Sequence, residues 1–217
     1  MKSQYLHRRF ISRIDKTRVK TIFECGSRDG LDAIELNKYY KPEFIYAFEC
    51  NPEAIELCRK NLKDTNIILV EKAVFNENKI VDFYATDMEK STNKELGASS
   101  MLWHRDNEVE FFQKKIQVEA IRLDDFMKQN KIDKVDMLCM DLQGVELQAL
   151  QGLGHRIKDV SYIILEVSFE HYYKDDVLFK HMKEFLNSNE FQFKVGSGLI
   201  HNRVKGFTDC LFKNYNI

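Results

Sequence analysis

Short apolar runs alternate with stretches of helical periodicity along most of the chain. Thr21-Ile22-Phe23-Glu24-Cys25 predicts a buried strand, and residues 31–40 behind it carry Leu31, Ala33 and Ile34 near one helical face. Phe44-Ile45-Tyr46-Ala47-Phe48 predicts a second strand. Asn51-Pro52-Glu53 then opens a helix, because Asn is a favoured N-cap and Pro suits the first helical position. Ile55, Cys58 and Leu62 line that helix at spacings of three and four, and Ile67-Ile68-Leu69-Val70 predicts a third strand. The rhythm resumes with strands at residues 135–140 and 162–167, and helices carrying Val145, Ala149, Leu150 and Leu153, then Leu178, Phe179, Met182, Phe185 and Leu186. Two last strands, residues 191–195 and 209–212, flank a loop containing Gly196-Ser197-Gly198. Strands separated by helices predict βαβ units, hence an α/β fold with a mostly parallel sheet and helices on both faces.

Two segments depart from that rhythm. Residues 80–85 and 116–121 alternate apolar and polar, which predicts two half-exposed strands, an antiparallel pair. With the polar stretch 86–115 between them they form an insertion over about 80–121, of a length often used as an active-site lid. At the start, Leu6, Phe10 and Ile14 recur every four residues, so residues 1–20 predict an amphipathic helix ahead of a domain spanning 21–217.

Composition narrows the function classes. The chain has 217 residues, 44% hydrophobic and 31% charged, enough apolar material for one core and too much for intrinsic disorder. Lys and Arg number 33 against 34 Asp and Glu, a net charge of -1 that argues against a general nucleic-acid binder. Within the first twenty residues, however, seven Lys and Arg face one Asp, a net +6 that leaves -7 for the rest. That basic face is either a solvated helix surface or a patch for an anionic substrate or membrane surface. No apolar run is long enough to cross a membrane, and the first residues lack the apolar core of a secretory signal. Five cysteines without a C-x-x-C pair read as reduced thiols, and the expected location is cytoplasmic. Nothing in the pattern excludes an oligomer.

Candidate chemistry gathers where the strands end. In open parallel sheets, ligands sit beyond the carboxyl ends of the strands. Glu24, Glu49, Glu71, Asp141 and Glu166 end the predicted strands or lie beside their ends, and carboxylates are poor strand formers that need water or a partner. Gly26-Ser27-Arg28-Asp29-Gly30 follows the first strand. A dinucleotide loop prefers G-x-G-x-x-G, but Arg28 stands where its second glycine belongs, and Glu24 repels a phosphate. The loop better suits a phosphate-free nucleoside bearing an ammonium and a carboxylate. Glu24 attracts the ammonium, backbone N–H groups from Gly26 to Gly30 meet the carboxylate, and Glu49 accepts the ribose hydroxyls. S-adenosylmethionine has those parts.

The ordered motifs Glu24-Cys25-Gly26-Ser27-Arg28-Asp29-Gly30, Ala47-Phe48-Glu49-Cys50-Asn51-Pro52, Gly97-Ala98-Ser99-Ser100, Leu123-Asp124-Asp125-Phe126 and Met140-Asp141-Leu142-Gln143-Gly144-Val145-Glu146 resemble those of FkbM-type methyltransferases over about residues 21–212. The resemblance implies a Rossmann-like class I methyltransferase fold, seven-stranded with the last strand antiparallel, and S-adenosylmethionine-dependent O-methylation, often of sugars. It assigns Glu24, Gly26 and Gly30 to the methionine end of the cofactor and Glu49 to the ribose. Ser27, Arg28, Asp29, Cys50, Asn51, Ala73, Ser100 and Asp141 are the further cofactor-site candidates. Three positions depart from the family: Arg28 replaces a common Asn, Gln143 a common Glu, and Cys50 a common Pro.

An alcohol is a weak nucleophile at neutral pH, so a base or a metal should assist it. Asp141 is the first candidate, as base or as the residue orienting the acceptor; the rival role is a cap on the following helix. Glu166 and His171 are the next candidates, and His104 shares the role of a loop histidine. Asp141, Glu166 and a histidine are also donors of a kind that Mg²⁺ accepts, though no spacing demands the ion. Trp103, Tyr172 and Tyr173 are candidates for stacking on a sugar face. The expected partner is a glycan, a glycolipid precursor or a small glycosylated molecule. An NAD-linked oxidoreductase, an RNA methyltransferase and a non-catalytic scaffold are the competing readings.

Overall fold

The structure, a computed structural model, describes residues 3–92, 96–103, 112–198 and 206–216. In chain order the elements are α1 (Arg8–Ile11), β1 (Thr21–Cys25), α2 (Leu31–Tyr40), β2 (Phe44–Phe48), α3 (Pro52–Leu62), β3 (Ile68–Val70), β4 (Ala73–Val74), β5 (Lys79–Thr86), β6 (Gln113–Ile121), α4 (Leu123–Gln129), β7 (Val135–Met140), α5 (Glu146–Gln151), β8 (Val160–Ser168), α6 (Phe179–Ser188), β9 (Phe191–Gly196) and β10 (Phe207–Asn214). The large sheet has seven strands in the order β3-β2-β1-β7-β8-β10-β9. β10 alone runs antiparallel to its neighbours. Strand order reverses between β1 and β7, so the switch point lies beyond their carboxyl ends.

The central strands are mostly apolar because both faces of the sheet are covered, with the buried acids Glu24 and Asp136 as exceptions. Successive residues point to opposite sides. On β7, Leu138 and Met140 join one core with Phe23, Phe48, Phe126 and Leu150, while Met137 and Cys139 join the other with Ile22, Ala33 and Leu36. The chain's approach to β1 is pinned by buried Asp136, whose Oδ2 accepts from the backbone N–H groups of Lys20 (2.8 Å) and Thr21 (3.0 Å).

The insertion forms a second sheet, β4-β6-β5, with β5 and β6 antiparallel as their alternation predicts. β4 and α4 go beyond the elements the pattern predicts: β4 has only two residues, and α4 is a seven-residue helix that buries Leu123 with Phe126 and Met127, three and four positions on.

The single amphipathic helix expected over residues 1–20 does not form. A 3-10 turn at Gln4–Leu6, the one-turn α1 and a second 3-10 turn at Lys16–Arg18 replace it. Backbone is extended at His7 (ψ 137°) and Asp15 (ψ 102°). Side chains of Ser3, His7 and Asp15 accept from backbone N–H groups two residues ahead, a local bond that competes with the helical ladder. The apolar anchors still go inward: Leu6, Phe10 and Ile14, with Tyr5 and Val19, pack on α2 and the sheet.

Candidate active site

The loop after β1 is bent onto the ends of two strands. Gly26 and Ser27 both donate their N–H to the Phe48 carbonyl at 3.0 Å, and Asp141 N–H donates to Cys25 O at 3.0 Å. β1 and β7 approach so closely there that a Cβ on Gly26, at φ +86°, would stand 1.9 Å from the Asp141 carbonyl oxygen. Only glycine fits.

Glu49, just past β2, is held by three backbone donors: Arg28 N–H on Oε2 (2.7 Å), and Cys50 and Asn51 N–H on Oε1 (2.8 Å each). Burial raises its proton affinity and those donors oppose the rise. Asn51 caps α3 as its sequence predicts and also donates to Ser99 Oγ at 3.3 Å.

Asp141, just past β7, carries an amide donor on each oxygen. Gln143 Nε2 lies 2.6 Å from Oδ1, and Gln4 Nε2 lies 3.3 Å from Oδ2. Gln143 Nε2 also reaches Glu166 Oε2 (3.1 Å), and Tyr173 O–H donates to Gln143 Oε1 (2.7 Å). A glutamate at 143 would set a third carboxylate against these two. Gln143 therefore works as a neutral bridge. Burial raises both acids, and the field of Asp141 raises Glu166 further. Asp141 has two donors and nearby Arg28 against one shared donor for Glu166, so the charge rests on Asp141 and the proton on Glu166. Glu146 accepts from Leu142 N–H (2.7 Å) and Gly144 N–H (3.1 Å), which fixes the turn after β7; burial pushes it up to about 7.

A cavity of about 370 Å³ opens over this rim. Of the cofactor-site candidates, Gly26, Arg28, Asp29, Glu49, Cys50, Asn51, Ala73 and Asp141 line it; Glu24, Ser27, Gly30 and Ser100 do not. Glu24 is only 1% exposed, accepts from Ser27 Oγ, and is pushed up to about 8 chiefly by burial. Ser27 thus serves Glu24, while Gly30, at φ +77°, turns the chain into α2. Ser100 donates to Gln143 O (2.7 Å), clamping the insertion to the β7 turn, and its neighbour Ser99 lines the cavity instead. Cys50 is raised by burial and stays a thiol.

Of the catalytic candidates among the described residues, Asp141 alone faces the cavity. Glu166 reaches it through Gln143. His171 does not join them: its ring bonds Asp176, which also accepts from Tyr172 and Tyr173 N–H and so shapes the loop after β8. Among the described residues no group of three His, Cys, Asp or Glu is arranged to hold a metal ion, and Asp141, Glu166 and His171 do not come together as a set for Mg²⁺. His104 lies outside the described residues. Glu71 leaves the rim for the surface, where Arg59 grips both its oxygens at 2.7 Å. Gln4, Tyr5 and Asp32 line the cavity and were missed. For Asp32 a signal existed, an acid one helical step after Gly30; for the other two there was none.

A sheet of this order with a cavity at its switch point defines a Rossmann-like class I methyltransferase fold. The model of the Methyltransferase FkbM domain matches residues 24–193, and the chain belongs to that family of methyltransferases. It is 26% identical over 199 residues to "2-O-methyltransferase NoeI" of Sinorhizobium fredii, covering 88% of this chain and 81% of that protein. Methyltransferase FkbM from Methylobacillus flagellatus shares the fold at 16% identity and a TM-score of 0.59; 98% of this chain is covered, spanning 48% of that one. M. capricolum TrmK, solved with S-adenosyl-homocysteine, shares it at 11% identity and a TM-score of 0.51, over 94% of this chain and 65% of the other. Among the described residues no helix is long and apolar enough to cross a membrane.

Proposed function

We propose that the protein is an S-adenosylmethionine-dependent O-methyltransferase whose acceptor is a sugar hydroxyl in a glycan, a glycolipid precursor or a glycosylated small molecule. The observation that carries this reading is the shared cavity: Glu49 past β2 and Asp141 past β7 face one space across the switch point. The 2-O-methyltransferase relative supports the oxygen acceptor. Five free cysteines among the described residues accord with a cytoplasmic setting.

The cofactor supplies, when bound, a methyl group already activated on a sulfonium. The chain's own residues then have four tasks. Glu49, preset by three backbone donors, accepts from the ribose hydroxyls. The amino-acid end lies over the loop after β1, where the acids Asp29, Asp32 and Asp141 favour its ammonium. The N–H groups of Gly26, Ser27, Arg28 and Gly30 do not meet its carboxylate as the sequence suggested, because Phe48 O, Glu49 and Ser27 O already take them. Val74, Met101, Leu142 and Val145 line the cavity with hydrocarbon and exclude water. Asp141 orients the acceptor hydroxyl and takes its proton, being the one of the Asp141–Glu166 pair at which charge is favoured.

The test is transfer of labelled methyl to a panel of free and lipid-linked glycosides. Transfer to a sugar oxygen is expected, and Asp141→Asn should lower kcat by ~10²-fold or more, the usual weight of a general base. Transfer to RNA but to no glycoside would overturn the acceptor assignment.

A further inference from the structure

We infer that Gln4 is a positioning residue for Asp141, and that Gln4 and Tyr5, which lie outside the family's matched span of 24–193, form part of the active-site wall. The inference rests on the methyltransferase reading for its consequence in catalysis, but not for its geometry.

Gln4 meets Asp141 across 137 positions of sequence. Its place is set by anchors on both sides. Ser3 O accepts from Leu6 N–H (3.0 Å), Gln4 O accepts from His7 N–H (3.1 Å), and Tyr5 and Leu6 are buried with Ala33 and Leu36 of α2. The half-buried Gln4 side chain is thereby left at the cavity, its amide on the one Asp141 oxygen that Gln143 does not serve. Tyr5 lines the same cavity, in the field of Asp141, Glu24 and Asp32. The core under the 3-10 turn explains why residues so far from the matched motifs hold a fixed position there.

The chemistry follows from the donor pair. An N–H on each oxygen favours the carboxylate over the acid and fixes the plane of the carboxyl group. Gln4 and Gln143 both lower the proton affinity of Asp141 while burial raises it. The other groups that act on Asp141 stay in place when Gln4 is changed. They are Arg28 after β1, Glu24 on β1, Asp32 on α2, Glu49 after β2, Glu146 on α5, Glu166 on β8, Asp209 on β10, and the phenols of Tyr5 and Tyr173.

The experiment compares the full chain with Gln4→Met, which keeps length without the donor, and Gln4→Glu, which opposes like charge. Carboxyl-carbon NMR of the unliganded protein follows the titration of Asp141. The midpoint should rise by ~0.5–1 pH unit in Gln4→Met, the weight of one long, half-exposed bond to a charge, and further in Gln4→Glu. At saturating cofactor, the acid limb of the kcat profile should move up by the same amount in Gln4→Met. A titration unmoved in both variants overturns the inference. A protein that shifts as expected yet binds no adenosylhomocysteine would leave the positioning role standing and overturn the methyltransferase reading instead.

Discussion

Replacing Gly26 by alanine should do more harm than the same change at any other glycine of the rim. The backbone conformation at φ +86° costs an L-residue ~1–2 kcal/mol. The new Cβ would lie 1.9 Å from the Asp141 carbonyl oxygen, far inside a van der Waals contact of ~3.5 Å, and the obstacle is backbone that cannot rotate away. To relieve it, the ends of β1 and β7 must part. That loosens the Asp141 N–H bond to Cys25 O and the two bonds to Phe48 O, each worth ~1 kcal/mol. The sum is about 3–5 kcal/mol, or roughly 10 °C in Tm for a chain of this size. Gly30→Ala is the matched control. It carries the same penalty at φ +77°, but its Cβ meets only the Leu62 side chain at 3.0–3.3 Å, which can yield. It should cost about 1–2 kcal/mol, roughly 5 °C. Scanning calorimetry of both proteins gives the comparison. If Gly26→Ala melts with or above Gly30→Ala, the close approach of β1 and β7 is not what demands glycine.

Two further outcomes follow from the buried acids and the bridge. Glu24 and Glu146 are raised to about 8 and about 7, and Glu166 is raised as well, so the folded state holds protons that the unfolded chain releases near pH 4–5. Their contribution is complete below that range and is lost as pH climbs through the folded values. Tm should therefore fall between pH 6 and 9, and Glu166→Gln, which mimics the protonated acid, should flatten the slope; a Tm that rises over that interval would refute the assignment. Tyr173→Phe removes the donor to Gln143 and should cost ~1 kcal/mol in urea unfolding with a larger proportional loss of kcat, whereas kcat unchanged would mean that the bridge does not orient Asp141.

Much of the large sheet was legible because a strand buried on both faces writes itself as a continuous apolar run. β1, β2 and β7 match their predicted bounds for that reason, as does the Asn51-Pro52 start of α3. The insertion was legible for the opposite reason: one wet face leaves period-two alternation on β5 and β6. The N-terminal segment misled because Leu6, Phe10 and Ile14 satisfy a helical period while local side-chain bonds break the helix between them. At the site, two of the five strand-end carboxylates, Glu49 and Asp141, line the cavity, while Glu24 and Glu166 do not and Glu71 faces the surface. What failed depended on neighbours distant in sequence. Ser99 and Ser100 are chemically alike, and only the pairing of Tyr84 with Ser100 decides which hydroxyl faces the cavity. Glu71 turned outward because Arg59, one helix away, met it there. Gln4 gave no signal, because its partner lies in another part of the sheet.

The most direct test of the proposed nucleoside site is a calorimetric titration of adenosylhomocysteine, with NADH as the contrasting ligand, into the wild type and Glu49→Ala. Loss of one or two charge-assisted bonds to the ribose corresponds to at least ~10-fold and up to ~100-fold weaker binding. The account predicts one site for adenosylhomocysteine, that loss of affinity in Glu49→Ala, and no heat from NADH. Tighter binding of NADH, or adenosylhomocysteine affinity indifferent to Glu49, would contradict it.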